Sequence, residues 1–257
     1  MSTGAATTTG GGDEPQRAWL LHGPAAEAAP KADSSHALIK AIDVFKIYRE
    51  GSTETVALRG ASLELQRGRI TSLVGRSGSG KSTMITLLAG LALPTAGRIL
   101  FDGEDITRLD DTGRARLRAR RIGIVFQRDN LIPFLTAQEN VKLAIKLAGG
   151  RKAGARARQL LSELGLGKRL RHYPRQLSGG EGQRAAIAVA LANGPDLLIG
   201  DELTGELDSG TTDQVLKLIT TASENKGLTV LIVTHNPRVA EAADQQLRLV
   251  DGVVVAS

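Results

Sequence analysis

The sequence predicts an α/β fold, with a parallel core, a small antiparallel sheet beside it and a helical stretch in mid-chain. Three observations predict it. Four short apolar runs, closing at Val74, Phe126, Gly200 and Val233, each stop abruptly in polar residues. Strand-like segments bounded by turn residues follow one another between Ala37 and Gly103. From Thr136 to Leu191, capping residues and apolar spacing mark successive helices.

Length and composition set the bounds. The 257 residues suffice for one large domain or two small ones, and for a substantial core. No apolar run approaches the roughly 18 residues of a membrane span. The N-terminus lacks the basic segment and apolar core of a secretory signal. With no cysteine, a disulfide framework, a thiolate metal site and a thiol nucleophile are excluded, which fits a cytosolic location. The net charge of +6 permits contact with anionic lipid or nucleic acid, although a solvated basic surface accounts for most of these charges.

In chain order, residues 1–36 are rich in Gly, Ala, Thr and Pro without a sustained period and read as a disordered extension. Trp19-Leu20-Leu21 is an incidental apolar cluster within it. Leu38 to Val44 and Ser62 to Leu65 read as strands, with a turn at Gln66-Arg67-Gly68, and Ile70 to Val74 as a third. Met84 to Ala89 belongs to a helix, and Arg98 to Phe101 ahead of Asp102-Gly103 is another strand and turn. Arginines crowd the stretch from Asp111 to Arg121, at 114, 116, 118, 120 and 121. No aromatic residue is interleaved for base stacking, so this reads as a solvated helix face. Thr136-Ala137-Gln138-Glu139 fits a capping box opening a helix through about Leu147, and Ala155 to Leu164 has helical spacing closed by Gly165. Asn193-Gly194-Pro195 is a stop, after which Leu197 to Gly200 is strand-like, Thr211 to Ala222 helical and Leu228 to Val233 strand-like. Gln246 to Val255 reads as a hairpin turning at Asp251-Gly252.

Between the third strand and its helix lies Gly75-Arg76-Ser77-Gly78-Ser79-Gly80-Lys81-Ser82-Thr83. The glycines let the backbone wrap closely around a polyphosphate, with N–H groups and the helix N-terminus aimed at the anion, while Lys81 adds a full positive charge. Ser82 is suited to put its hydroxyl on a magnesium ion.

In an open parallel sheet, ligands bind outside the carboxyl ends of the strands, so the four apolar runs converge on one nucleotide. Asp201 is a magnesium-side carboxylate. Glu202 is placed to take a proton from, or orient, the water that attacks a γ-phosphate. Without the phosphate loop this pair would read as a solvated loop. Gln127 has an amide suited to sensing both metal and water. His235 is suited to hydrogen-bond the γ-phosphate, or to cap the next helix.

A second landmark is Leu177-Ser178-Gly179-Gly180-Glu181. Ser178 and Glu181 have capping-box spacing for a helix from Gly179 to Leu191. Two glycines in its first turn weaken that helix and expose its N–H groups to an anion. One nucleotide already has its cradle at Gly75 to Ser82, so the second cradle would serve a phosphate held by another subunit.

From about Ala37 to the end, the chain resembles the nucleotide-binding subunits of ATP-binding cassette transporters. The phosphate loop is Gly75 to Thr83, the glutamine loop Gln127, the signature Leu177 to Arg184, and the Walker B carboxylates Asp201 and Glu202. Leu207-Asp208 resembles the D-loop, His235 the switch histidine, and Tyr48 the aromatic residue against adenine. Glu54 to Gly60 and Phe126 to Pro133 are similar to the subgroup that powers lipoprotein release and macrolide export in bacteria. Three positions depart from the pattern: Leu203 stands where proline is usual, Val189 where arginine is usual, and Gly182 where glutamine is common. None removes a group that contacts ATP in the resemblance.

The resemblance implies a P-loop NTPase (RecA-like) core over residues 37–257, with an antiparallel β layer and a helical subdomain inserted at about 128–193. It implies ATP and Mg2+ as cofactors, and a head-to-tail dimer closing over two ATP molecules. Lys81 of one chain and Ser178, Gly179, Gly180, Glu181 and Asp208 of the other would contact each nucleotide. Glu202, His235 and Gln127 would be catalytic, and Ser82, Gln127 and Asp201 would hold magnesium. A membrane permease is the implied partner, at the cytoplasmic face of the cell membrane, and nucleic acid is not. The alternatives are a cassette ATPase acting on DNA or ribosomes, a small kinase, which leaves Leu177 to Arg184 unexplained, and an ATP sensor, which would need a defective Glu202 or His235.

Overall fold

Apolar alternation and apolar runs sort the strands into two sheets. The structure, a computed structural model, describes residues 37–128, 130–205 and 207–256, so the expected N-terminal extension with Trp19 lies outside the described residues. In chain order the elements are β1 (Ala37–Glu50), β2 (Thr53–Gln66), β3 (Ile70–Val74), α1 (Lys81–Leu88), β4 (Ala96–Phe101), β5 (Glu104–Asp105), α2 (Asp111–Arg121) and β6 (Ile122–Val125). They continue with α3 (Ala137–Leu147), α4 (Ala153–Glu163), α5 (Gly179–Leu191), β7 (Leu197–Asp201), α6 (Ser209–Lys226), β8 (Thr229–Val233), α7 (Pro237–Glu241), β9 (Gln245–Val250) and β10 (Val253–Ala256).

Strands β2-β1-β4-β5 form an antiparallel sheet, in that order. In β2 the buried residues Ala61, Leu63 and Leu65 alternate with exposed ones, as a strand covered on one face requires. The second sheet has the order β10-β9-β3-β8-β7-β6 and is parallel from β9 to β6. Its central strands are buried on both faces, and alternate residues enter opposite cores. Val230 and Ile232 of β8 join a core with α3, α4, α5 and α6, while Leu231 and Val233 join α1 and the antiparallel sheet. The predicted α/β fold, with its antiparallel layer, is therefore present.

Helix α3 opens on the expected capping box, with Thr136 Oγ1 accepting from Glu139 N at 3.3 Å and Glu139 Oε2 accepting from Thr136 N at 2.9 Å. Helix α4 begins two residues earlier than its spacing predicts, and Gly165 at φ +74° follows its end. Helix α7 is the helix expected after His235, but Asn236 rather than His235 caps it, and five residues are too few to show a period. Its Asn236 cap and Pro237 are the local start signals.

The arginine-rich helix α2 corrects the expectation of a solvated face. Arg116 and Arg120 are exposed, but Arg114 is buried, with hydrogen bonds to Leu109 O and Asp111, and Arg118 Nη1 donates to Gly90 O at 2.6 Å. Arg121 binds Asp102 (2.7 Å) and Asp196 and lies 4.7 Å from the centre of the Phe101 ring. Of the five arginines, Arg121 thus joins α2 to the ends of β4 and β7, Arg118 joins it to the turn after α1, and Arg114 is bound at the start of its own helix.

Candidate functional site

The parallel sheet brings the carboxyl ends of β3, β8, β7 and β6 to one edge, in that order. The phosphate loop follows β3. Its tight path depends on absent side chains: a Cβ on Gly75 would meet Leu249 O at 2.4 Å, and one on Gly80, at φ +103°, would meet Ala57 O at 2.5 Å. Helix α1 starts at Gly80 with no side-chain cap, which leaves its first-turn N–H groups to an anion. Lys81 Nζ folds over the loop and donates to Gly75 O and Arg76 O, both at 2.8 Å. Arg76, Ser77, Gly78 and Ser82 are exposed, Thr83 is half-buried, and Ser79 is buried with an unpartnered hydroxyl.

Asp201 closes β7 near Ser82 and Lys81, whose side chains act on its carboxyl. Burial pushes the Asp201 carboxyl above its usual value, the Glu202 charge pushes it further, and Lys81 and Ser82 pull the other way. Glu202 follows in left-handed backbone, φ +56°, an uncommon conformation for a residue with a side chain. Its N–H donates to Val233 O at 2.9 Å, which ties β7 to β8. Its Oε1 lies 2.6 Å from His235 Nδ1 and accepts from His235 N at 3.1 Å, and its Oε2 accepts from Thr234 Oγ1 at 3.4 Å. The two strand ends therefore present a carboxylate and an imidazole as one unit.

Leu203, in place of the family's usual proline, is buried against Gly200, and its carbonyl accepts from Gln183 Nε2 at 3.1 Å. Packing and one buried hydrogen bond restrain the loop after Glu202 where a ring would have done so. Val189 is half-buried against the helical core, and Gly182 has open space around it.

Gln127 is exposed just past β6, where Asn130 brackets Phe126 by accepting from its N–H (2.7 Å) and donating to its carbonyl (2.6 Å). Tyr48, 44 % exposed, pairs with Thr55 on β2, close to the Ala57 that abuts Gly80. Lys46 Nζ lies 5.2 Å from its ring centre.

The signature forms the N-terminus of α5. Ser178 Oγ accepts from Glu181 N at 3.2 Å and Glu181 Oε2 accepts from Ser178 N at 3.0 Å, closing the capping box. Ser178 and Gly179 are exposed and Gly180 is half-buried. Among the described residues no hydrogen bond or ion pair joins this turn to the phosphate loop. Asp208 caps α6, both its carboxylate oxygens being taken by Thr211 N (2.9 Å) and Thr211 Oγ1 (2.7 Å).

Sequence reasoning missed three groups. Thr234, directly after β8, gives no signal in the sequence beyond its place before His235, although its hydroxyl donates to Glu202 Oε2. Asn130 and Arg169, which binds Glu181, act across loops where no periodicity reports contact. An Asn near the glutamine loop was the one usable signal, because Asn side chains readily bond nearby backbone.

The sequence model of the family described as "ABC transporter" matches residues 58–205. This chain belongs to that family. The lipoprotein-releasing system ATP-binding protein LolD of Geobacter metallireducens is 45% identical over 221 residues, covering 85% of this chain and 98% of its own. The macrolide export ATP-binding/permease protein MacB of Syntrophobacter fumaroxidans is also 45% identical over 221 residues, but this chain spans only 31% of its length. Among solved structures, the ATP-binding cassette MJ0796, described as a dimeric post-hydrolysis state bound to ADP and Pi, superposes with a TM-score of 0.81 at 39% identity. The match covers 84% of this chain and 96% of that one. The chain is an ABC transporter ATP-binding subunit and an ATPase. No helix among the described residues is long and apolar enough to cross a membrane.

Proposed function

We propose that this ATPase works as a head-to-tail dimer at the cytoplasmic face of the membrane, coupling ATP-driven closure to a permease that exports or extracts its substrate. The observation that carries the reading is the meeting of Lys81, Ser82, Asp201, Glu202 and His235 at one sheet edge. Residues 37–257 act as one cassette, with a helical subdomain at about 128–193. Lys81 and the first turn of α1 bind the phosphates, and Tyr48 stacks on the base. Glu202 orients the attacking water and accepts its proton. His235, held by Glu202, turns to the γ-phosphate on closure, and the partner's signature turn completes the site.

Magnesium fits the residues present. Ser82, Asp201 and Gln127 offer only oxygen donors suited to a hard cation, and Asp201 is a half-buried carboxylate whose charge lacks a full counter-ion. Bound there, the ion would neutralise charge developing on the phosphates. Ser82 and Asp201 would hold it, while Gln127 links it to the glutamine loop.

A cassette acting on DNA or ribosomes would share this chemistry. The relatives named for lipoprotein release and macrolide export favour transport. Glu202→Gln tests the assignment: nucleotide binding persists, hydrolysis falls about 10²- to 10⁴-fold, and ATP-bound dimers accumulate in sedimentation runs. Unchanged turnover in that variant removes Glu202 from its role.

A further inference from the structure

The signature turn carries a negative charge where an anion is expected to dock. Glu181 sits at the third position of α5, and its Oε2 is committed to Ser178 N. A carboxylate there suits the helix dipole but opposes a phosphate approaching the same N–H groups. The other carboxylate oxygen, Oε1, is bound by Arg169 Nε at 2.8 Å. Arg169 lies outside α5, on the segment between α4 and α5, and the backbone of that segment is fixed from both sides. Leu166 N donates to Leu161 O at 2.7 Å and Arg169 N to Leu166 O at 2.8 Å, while the carbonyls of Leu170 and His172 receive the first N–H groups of α3. The guanidinium is therefore presented by a preorganised loop. The bond from Arg169, followed by the Ser178 backbone and more weakly the charge of Arg184, holds the Glu181 carboxyl below its usual range, so it is charged at neutral pH.

We propose that Arg169 is a positioning residue of the composite ATP site, neutralising and orienting Glu181 so that the signature turn can close on the γ-phosphate held by a second copy of this chain. The inference rests on the head-to-tail reading above. It makes Arg169 necessary because Glu181 is acidic, and this dependence separates it from a general stabilising role.

The full chain carrying Glu202→Gln, which holds ATP without turning it over, is the test material, and the readout is the ATP concentration at half-maximal dimerisation. Arg169→Gln raises that midpoint roughly tenfold, because at both sites of the dimer the unneutralised Glu181 carboxylate then opposes the incoming phosphate. Arg169→Lys stays within about threefold of the parent. In a Glu181→Gln background, Arg169→Gln shifts the midpoint less than about twofold, since no charge is left to compensate. Binding of fluorescent ATP to the monomer, carried by the Lys81 half, stays unchanged and reports an intact fold. No shift with Arg169→Gln, or the same shift in both backgrounds, overturns the proposal. Ser178→Arg separates this failure from that of the dimer reading. If Ser178→Arg abolishes dimers while Arg169→Gln does nothing, only the role of Arg169 falls; if Ser178→Arg leaves ATP-driven dimers intact, the composite site falls and this inference with it.

Discussion

Helices α1 and α5 both begin at glycine-rich turns, yet their N-termini are finished in opposite ways. That of α1 has no side-chain cap, and the ammonium of Lys81 lies over its loop. That of α5 is closed by a reciprocal capping box and carries a carboxylate paired with Arg169. The bare, cationic end can take a polyphosphate by itself. The capped end has its first donors partly satisfied within the chain and offers the exposed Ser178 and Gly179 to an anion brought from outside. The difference fits the proposed composite site, in which the α1 turn binds the nucleotide and the α5 turn meets it across the dimer.

Removing the cation from α1 has the largest expected effect. Lys81→Ala abolishes ATP-driven dimerisation and lowers hydrolysis about 10²- to 10³-fold, measured by phosphate release and sedimentation. If the α5 half could recruit nucleotide alone, the variant would still dimerise with ATP.

Asp201 sharpens the contrast by showing what the α1 half costs. Its carboxyl is pushed up by burial and then by Glu202, so stability from this group is present at low pH and lost as pH rises through the folded value. At neutral pH the ionised form therefore strains the empty protein. Asp201→Asn raises the nucleotide-free melting temperature by about 2 °C while hydrolysis collapses. A lower melting temperature contradicts this account of the site.

The smallest effect lies outside both turns. The hydrogen bond from Arg121 lowers the Asp102 carboxyl, with Arg67 adding to it. A lowered folded value means stability that is present above pH about 4 and lost as pH falls through that lowered value. Asp102 is partly exposed, so the loss is under about 1 kcal/mol. Denaturant titrations at pH 5 and pH 3 with Arg121→Gln check it: the variant's acid sensitivity is the shallower, and equal slopes count against the network.

Much of the parallel sheet was legible because its central strands are continuous apolar runs that stop at chemistry-bearing residues, as Leu197 to Gly200 does before Asp201 and Glu202. The signature cap was legible from Ser178 and Glu181 alone, since capping is local. What the sequence hid was long-range and polar. Arg121 reads as one more surface arginine until Asp102 and Asp196 are brought to it, and Arg169 has no meaning until the loop folds back on Glu181. The left-handed backbone of Glu202 was also hidden, because it depends on Leu203 packing against Gly200 and on Gln183 reaching over from α5.

The central claim is that each ATP is shared between the α1 turn of one chain and the α5 turn of another. Mixing Lys81→Ala chains with Ser178→Arg chains, each unable to dimerise alone with ATP, tests it most directly. A head-to-tail dimer rebuilds one intact site from the Lys81 of the second chain and the Ser178 of the first, so ATP-dependent heterodimers appear in sedimentation and survive dilution into ATP. If mixing yields no heterodimer under conditions where the parent chain dimerises, the two turns do not meet across the dimer.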